Sequence, residues 1–219
     1  MSKARYPSVI FDMDGLVLDS ETTYIQAWRQ AATALGYPLT GIELANFSGM
    51  SGDELTPLLY RQFGNDFDLP GFQRLSGQYW HSQVRQHGIP VKKGFHSLQQ
   101  RLQQAQIPYA LATNSRRRQA ELCLELAGLS GLFPLIVSRD DVQRGKPAPD
   151  IFLAVAAALG FAMPDCLVLE DSAVGVSAAL AAGAPCLYIP SELPADPLLS
   201  RQATAVFADL EQAADFIMA

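Results

Sequence analysis

Residues 9–20 read VIFDMDGLVLDS, and this stretch decides the fold. Three apolar residues, Val9, Ile10 and Phe11, run directly into Asp12 and Asp14, with Gly15 following. Such a run reads as a strand buried on both faces. Two carboxylates one residue apart repel each other, so an ordinary turn gains nothing from them. The end of this strand therefore reads as a functional edge.

Outward from this strand, four further β-type runs follow: PYALAT (108–113), PLIVS (134–138), CLVLE (166–170) and PCLYI (185–189). Helical patterns lie between them, in SLQQRLQQAQ, RRRQAELCLELAG, PDIFLAVAAALG and SAVGVSAALAAG. Gly128, Gly160 and Gly183 stand where helices usually stop. Strand–helix alternation of this kind predicts an α/β fold, a Rossmann-like doubly wound parallel sheet. Ligands of such sheets bind beyond the carboxyl ends of the strands.

The interval between the first strand and the second breaks the rhythm. SETTYIQAWRQAATALG, DELTPLLYRQFG and QRLSGQYWHSQVRQHG all carry apolar residues at helical spacing. The expectation is a helical cap domain over residues 19–89, inserted into a catalytic core of residues 1–18 and 90–219 and able to close over the crevice. IPVKKG (89–94) is the expected return linker.

Composition narrows the class. Of the 219 residues 49% are hydrophobic and 17% charged, enough to bury a core. A net charge of -6 argues against a nucleic-acid polymer as partner, which requires a basic face. No apolar run has membrane-spanning length, and MSKARYPSV lacks a signal-peptide apolar region, so neither membrane nor export is expected. Cys123, Cys166 and Cys186 have no metal-ligand spacing and are read as reduced thiols of a cytoplasmic protein. A monomer suffices for a capped site.

The chemistry sits at strand ends. Asp12 and Asp14 follow the first strand, Thr113-Asn114-Ser115 the second, Gly145-Lys146-Pro147 the third, and Glu170-Asp171-Ser172 the fourth. In a parallel sheet these four groups meet at one edge. Their carboxylates require a divalent cation among them, and all-oxygen ligation suits Mg²⁺. A carboxylate can attack phosphorus and form an acyl-phosphate, and Asp12, directly at the strand end, is the better nucleophile. Asp14 can protonate the leaving oxygen and later activate water. Thr113 and Asn114 can donate hydrogen bonds to phosphoryl oxygens, and Lys146 offsets negative charge during transfer.

In order along the chain, FDMDG (11–15), ATNS (112–115), GKPAPD (145–150) and LEDS (169–172) resemble the four motifs of the haloacid dehalogenase superfamily, in the branch with a helical cap after the first strand. The resemblance covers essentially the whole chain, the cap being its least diagnostic part. It implies a Mg²⁺-dependent phosphotransferase with an aspartyl-phosphate intermediate. Asp12 is then nucleophile and metal ligand, and Asp14 acid/base with its backbone carbonyl on the metal. Thr113, Asn114 and Lys146 hold the phosphoryl group, and Asp171 binds the metal. Glu170 ligates the ion through water or orients Lys146. A dehalogenase does not need the second aspartate, so Asp14 favours phosphate chemistry.

Sugar-phosphate and nucleotide phosphatases and β-phosphoglucomutase are the similar branches. In the mutases a cap arginine grips the second phosphate and a histidine follows the first motif. Here Gly49-Met50-Ser51-Gly52 puts Gly52 at the arginine position, and Tyr24 replaces the histidine. Both departures favour a phosphatase of a small phosphorylated metabolite over a mutase. A non-catalytic module that keeps the fold is the alternative from another class; it requires a lost nucleophile, lysine or metal aspartate, and none is missing.

Other residues have plainer readings. Asp19 caps the helix starting near Ser20 or braces the flap after the first strand, and Ser20 either caps or meets substrate. Arg116, Arg117 and Arg118 read as a solvated helix face. His81, His87 and His96 show no ligand spacing, and Trp28 and Trp80 read as cap core.

Overall fold

Ser8–Phe11 forms the first strand, β1, and each of its residues is fully buried, as a run without polar alternation requires. The computed structural model describes residues 5–39, 52–191 and 195–218. The chain divides into two compact units, Met1–Leu18 with Pro90–Ala219, and Asp19–Ile89. Helices α1 (Ser20–Ala34), α2 (Gly52–Phe63) and α3 (Leu69–His87) belong to the second unit. Helices α4 (Phe95–Gln104), α5 (Arg117–Leu126), α6 (Asp150–Leu159), α7 (Ala173–Ala182), α8 (Pro197–Gln202) and α9 (Leu210–Met218) belong to the first.

In the first unit β1 is joined by β2 (Tyr109–Ala112), β3 (Ile136–Val137), β4 (Cys166–Glu170), β5 (Cys186–Tyr188) and β6 (Ala205–Val206). All pairs are parallel, and the order is β3-β2-β1-β4-β5-β6. This is the doubly wound α/β architecture, with the order reversing between β1 and β4. Two strands are shorter than the apolar runs around them. Pro134 and Pro185 have no N–H to give to a ladder, and Ser138 already starts the 3₁₀ turn Arg139–Asp141. β6 is too short for its pattern to show in the sequence.

Alternation along β1 divides the core. Ile10 joins Ala110, Ala112, Val168 and Cys186 on one face, where Ile151, Phe152 and Val155 of α6 and Val176 and Ala179 of α7 cover them. Phe11 points the other way, its ring edge-on to Phe95 at 5.7 Å, Phe133 at 6.0 Å and Tyr109 at 6.2 Å. Where the chain leaves and re-enters this unit the two segments lie side by side: Leu18 bridges Val91, and the Lys92 N–H donates to the Val17 carbonyl at 2.9 Å.

The second unit is helical among its described residues. Its core is Ala31, Ala32, Leu39, Leu55, Leu59, Phe67 and Phe72. Asp68 caps α3 by accepting from the Gly71 N–H at 2.9 Å, so this helix begins earlier than its apolar pattern. Asp19 occupies the cap position of α1, yet its side chain takes no backbone N–H; its Oδ1 accepts from the Thr22 hydroxyl at 2.7 Å. Ser20 is buried in the first turn of α1. Tyr24 stacks on Trp80 at 5.1 Å and Trp28 at 6.3 Å, and the Trp80 indole donates to Thr23 at 2.9 Å. Trp80 is buried and Trp28 half-buried, while His81, His87 and His96 are exposed. Residues Gly49, Met50 and Ser51 of the turn compared with the mutases lie outside the described residues.

Candidate active site

Strand register assembles the site. Phe11 pairs with Leu111 on one side and Leu169 on the other, so the next residues, Asp12, Ala112 and Glu170, come level at the carboxyl edge. The Asp12 N–H continues the ladder to the Leu169 carbonyl at 3.1 Å. Asp12 and the β4 pair Glu170-Asp171 thus flank the point where strand order reverses.

Lys146 is the hub. Its buried Nζ donates to Asp12 Oδ1, to Glu170 Oε1 at 2.5 Å and to the Ala112 carbonyl at 3.0 Å. It also lies 5.0 Å from the Phe152 ring centroid. An ammonium has three donors, and all three are used. Burial opposes its charge, but Asp12 and Glu170 outweigh burial and hold its pKa above the ordinary lysine value. At Asp12, by contrast, burial prevails: despite the lowering effect of Lys146, desolvation together with Glu170 and Asp14 pushes its carboxyl up to about 8.

Glu170 has no exposed surface. Its Oε2 accepts from the Asp171 N–H at 3.1 Å, the Ser172 N–H at 3.3 Å and the Ser172 hydroxyl at 3.0 Å. The same Ser172 oxygen caps α7 through the Gly175 N–H at 3.1 Å. With both oxygens engaged by protein donors, Glu170 is built to hold the lysine. Asp171 is buried, and its Oδ2 accepts from the Ser191 hydroxyl. Asp14 Oδ2 accepts from the Ser115 hydroxyl at 2.8 Å and from Thr113 Oγ1 at 3.4 Å. Thr113 Oγ1 in turn accepts the Ser115 N–H at 3.0 Å.

The predicted residues therefore gather at one edge, each on the loop expected. The Asn114 carboxamide also meets the main chain of Lys146, with Oδ1 accepting the Lys146 N–H at 2.8 Å and Nδ2 donating to its carbonyl at 3.1 Å. Of the three arginines, Arg116 and Arg118 are exposed, whereas Arg117 reaches Asp141 at 2.6 Å and the Ile136 carbonyl at 2.8 Å. Ser115 and Ser172 stood in the strand-end groups without an assigned role, and Ser191 is an addition to the site. Ser191 follows the apolar run of β5, so its place at a strand end was the available signal.

A divalent cation fits this edge. Asp12, Glu170 and Asp171 each offer a carboxylate oxygen, all within 4.8 Å of one another. The donor set is wholly oxygen, as Mg²⁺ prefers. Both oxygens of Glu170 are already engaged by protein donors, which makes Asp12 and Asp171 the candidate ligands.

A family model described as haloacid dehalogenase-like hydrolase matches residues 9–189. Fructose-1-phosphate phosphatase of Escherichia coli (strain K12) is 31% identical over 184 residues, spanning 82% of this chain and 94% of that protein. Hexitol phosphatase A of the same organism is 32% identical, over 95% of this chain and 93% of that protein. Among solved structures, a candidate β-phosphoglucomutase from Thermotoga maritima superposes with a TM-score of 0.83 at 28% identity, covering 96% of this chain and 97% of the other.

Proposed function

The chain belongs to the haloacid dehalogenase-like hydrolases and is a phosphoric monoester hydrolase, and from that premise we propose that it cleaves a small sugar phosphate, with Mg²⁺, through an aspartyl-phosphate on Asp12. The observation that carries this reading is Lys146 held between Asp12 and Glu170 at the strand edge where Asp171 also lies. The two Escherichia coli relatives are named for sugar- and hexitol-phosphate substrates, which supports the substrate class.

Asp12 Oδ1 is tied to Lys146, which turns the other oxygen toward an incoming phosphorus. That oxygen forms the new P–O bond while the ester P–O bond breaks. Asp14, oriented by Ser115 and Thr113, gives its proton to the departing alcohol oxygen. It then takes a proton from water as that water attacks the acyl-phosphate, and orthophosphate leaves with Asp12 restored. Lys146 offsets the negative charge on the phosphoryl oxygens, beside the donors of the 113–115 loop. Asp12, Asp171 and the Asp14 carbonyl would hold Mg²⁺, which would supply charge compensation for the phosphoryl group. Glu170 keeps Lys146 aimed.

The site's location, its metabolite partner and a cytoplasmic, monomeric enzyme are parts of the same proposal; no helix among the described residues is long and apolar enough to cross a membrane. The deciding experiment is phosphate release from a panel of phosphorylated sugars and nucleotides, with Mg²⁺ or with EDTA. Mg²⁺-dependent release is expected. Conversion of a glucose 1-phosphate into the 6-phosphate without release would replace the phosphatase with a mutase.

A further inference from the structure

Lys146 has no regular element beneath it. It sits at the end of an irregular segment between the 3₁₀ turn Arg139–Asp141 and α6, yet its ammonium must stay within hydrogen-bond reach of Asp12. Two side chains hold this segment. Asn114, at the end of β2, makes a reciprocal pair with the Lys146 main chain, at 2.8 Å to its N–H and 3.1 Å from its carbonyl. Arg139 reaches back over the same segment, donating from Nη1 to the Val142 carbonyl at 2.9 Å and from Nη2 to the Gln143 carbonyl at 3.2 Å. Its own N–H is fixed to the Ser115 carbonyl at 3.1 Å, so the two grips share one anchor, the loop after β2.

Gly145 is the fitted piece between them. A Cβ at this position would come within 2.5 Å of Asn114 Oδ1 and 2.7 Å of Arg139 Cδ. No real side chain tolerates such approaches, so both grips depend on the missing Cβ.

We infer that Asn114 and Arg139 are positioning residues that hold Lys146 on Asp12 through the main chain of residues 142–146. Asn114 offers two amide hydrogens, and the lysine carbonyl takes one of them. Its effect on turnover passes through the lysine rather than through direct contact with phosphate. The inference rests on the phosphatase reading for its catalytic consequence, and on geometry alone for the clamp itself.

Two measurements separate these. The first needs no activity: native protein is treated with an amine-acylating reagent, and labelling of Lys146 is followed by peptide mass spectrometry against Lys92 as internal standard. Lys146 should be protected in the parent protein and labelled at least about tenfold faster in Asn114→Ala and Arg139→Ala, since a loosened segment exposes its amine. Unchanged protection in both variants overturns the clamp, whatever the enzyme does. If either variant fails to fold, Asn114→Asp, which keeps the acceptor for the Lys146 N–H, replaces it and should label at an intermediate rate.

The second measurement is turnover of the best substrate from the panel. Asn114→Ala should lower kcat by about 10²-fold, the scale of a misplaced catalytic group, with little change in KM. In a Lys146→Ala background the same change should cost less than about threefold, because coupled residues are non-additive. Asn114→Asp should fall between parent and Asn114→Ala. Losses that multiply independently of Lys146, or an aspartate worse than alanine, would assign Asn114 to the phosphate and overturn the inference. Absence of turnover in the parent protein would defeat the phosphatase reading and leave the labelling result to decide the clamp.

Discussion

Gly175, in the first turn of α7, lies directly against the carboxylate of Glu170: a Cβ added to Gly175 would overlap all three atoms of that carboxyl group. Glu170 cannot retreat, because Lys146 holds one oxygen and Asp171, Ser172 and its hydroxyl hold the other. A helix glycine is here part of the site's support.

Helix propensity and packing therefore oppose each other at Gly175 and agree at Gly77. Gly175→Ala should destabilise the protein and cut activity, although alanine is favoured in helices by about 1 kcal/mol. Gly77→Ala in α3 meets nothing within 4 Å. It should stabilise by about 0.5–1 kcal/mol. Thermal melting of the two variants checks the contrast; a more stable Gly175→Ala would mean that Glu170 is free to move.

Asp12→Asn should reduce turnover by at least about 10³-fold, as expected for loss of a nucleophile. Its fold should survive. Asparagine has the same size, keeps a carbonyl oxygen for the Lys146 ammonium and leaves Glu170 as its charged partner. Phosphate release and melting temperature are read side by side, and turnover near that of the parent would remove Asp12 from the mechanism.

Metal affinity should follow the order of contact. Asp171→Ala deletes a proposed ligand and should abolish measurable Mg²⁺ binding by calorimetry. Ser191→Ala removes the hydroxyl that orients Asp171, and should weaken binding by about 10-fold while leaving the ligand in place. Identical titrations for the parent and Asp171→Ala would move the cation elsewhere.

Away from the site, Asp141 gives a pH test. Its Oδ2 accepts the Ser138 N–H at 2.7 Å, the Ser138 hydroxyl at 2.7 Å and Arg117 at 2.6 Å. Burial works against the charge, but these partners outweigh it and hold the carboxyl below its ordinary value. A depressed acid stabilises the fold above its unfolded pKa, about 3.9, and that contribution is lost as pH falls through the folded value. Asp141→Asn should therefore lower stability by about 1 kcal/mol at neutral pH. The gap between variant and parent should close in acid, as pH falls below the ordinary carboxylate range. A gap that persists in acid would show that the charge is not what stabilises the turn.

The strand–helix order and the chemistry at each strand end were legible in the chain itself. VIF, YALA and CLVLE are apolar at every position or nearly so, as strands covered on both faces are. Asp12, Thr113, Lys146 and Asp171 followed from topology alone, since parallel strands deliver their carboxyl ends to one edge. Short elements were not legible: β6 has two residues, too few for any periodicity to register. Asp19 stands at the cap position of α1, but which partner its carboxylate takes was not legible: it goes to the Thr22 hydroxyl and not to a helix N–H.

Which residues belong to the site was thus decided locally, by burial patterns that repeat every two or 3.6 residues. How those residues act on one another was decided by tertiary structure. Asn114 grips the main chain of a residue 32 positions away, and Ser191 meets Asp171 across 20. Glu170 turns inward onto Lys146 because Ser172 and the bare α-carbon of Gly175 make room for it. Such partners depend on strand register and rotamer, to within a fraction of an ångström. No local pattern in a sequence encodes them; they exist only once separate strands are brought level.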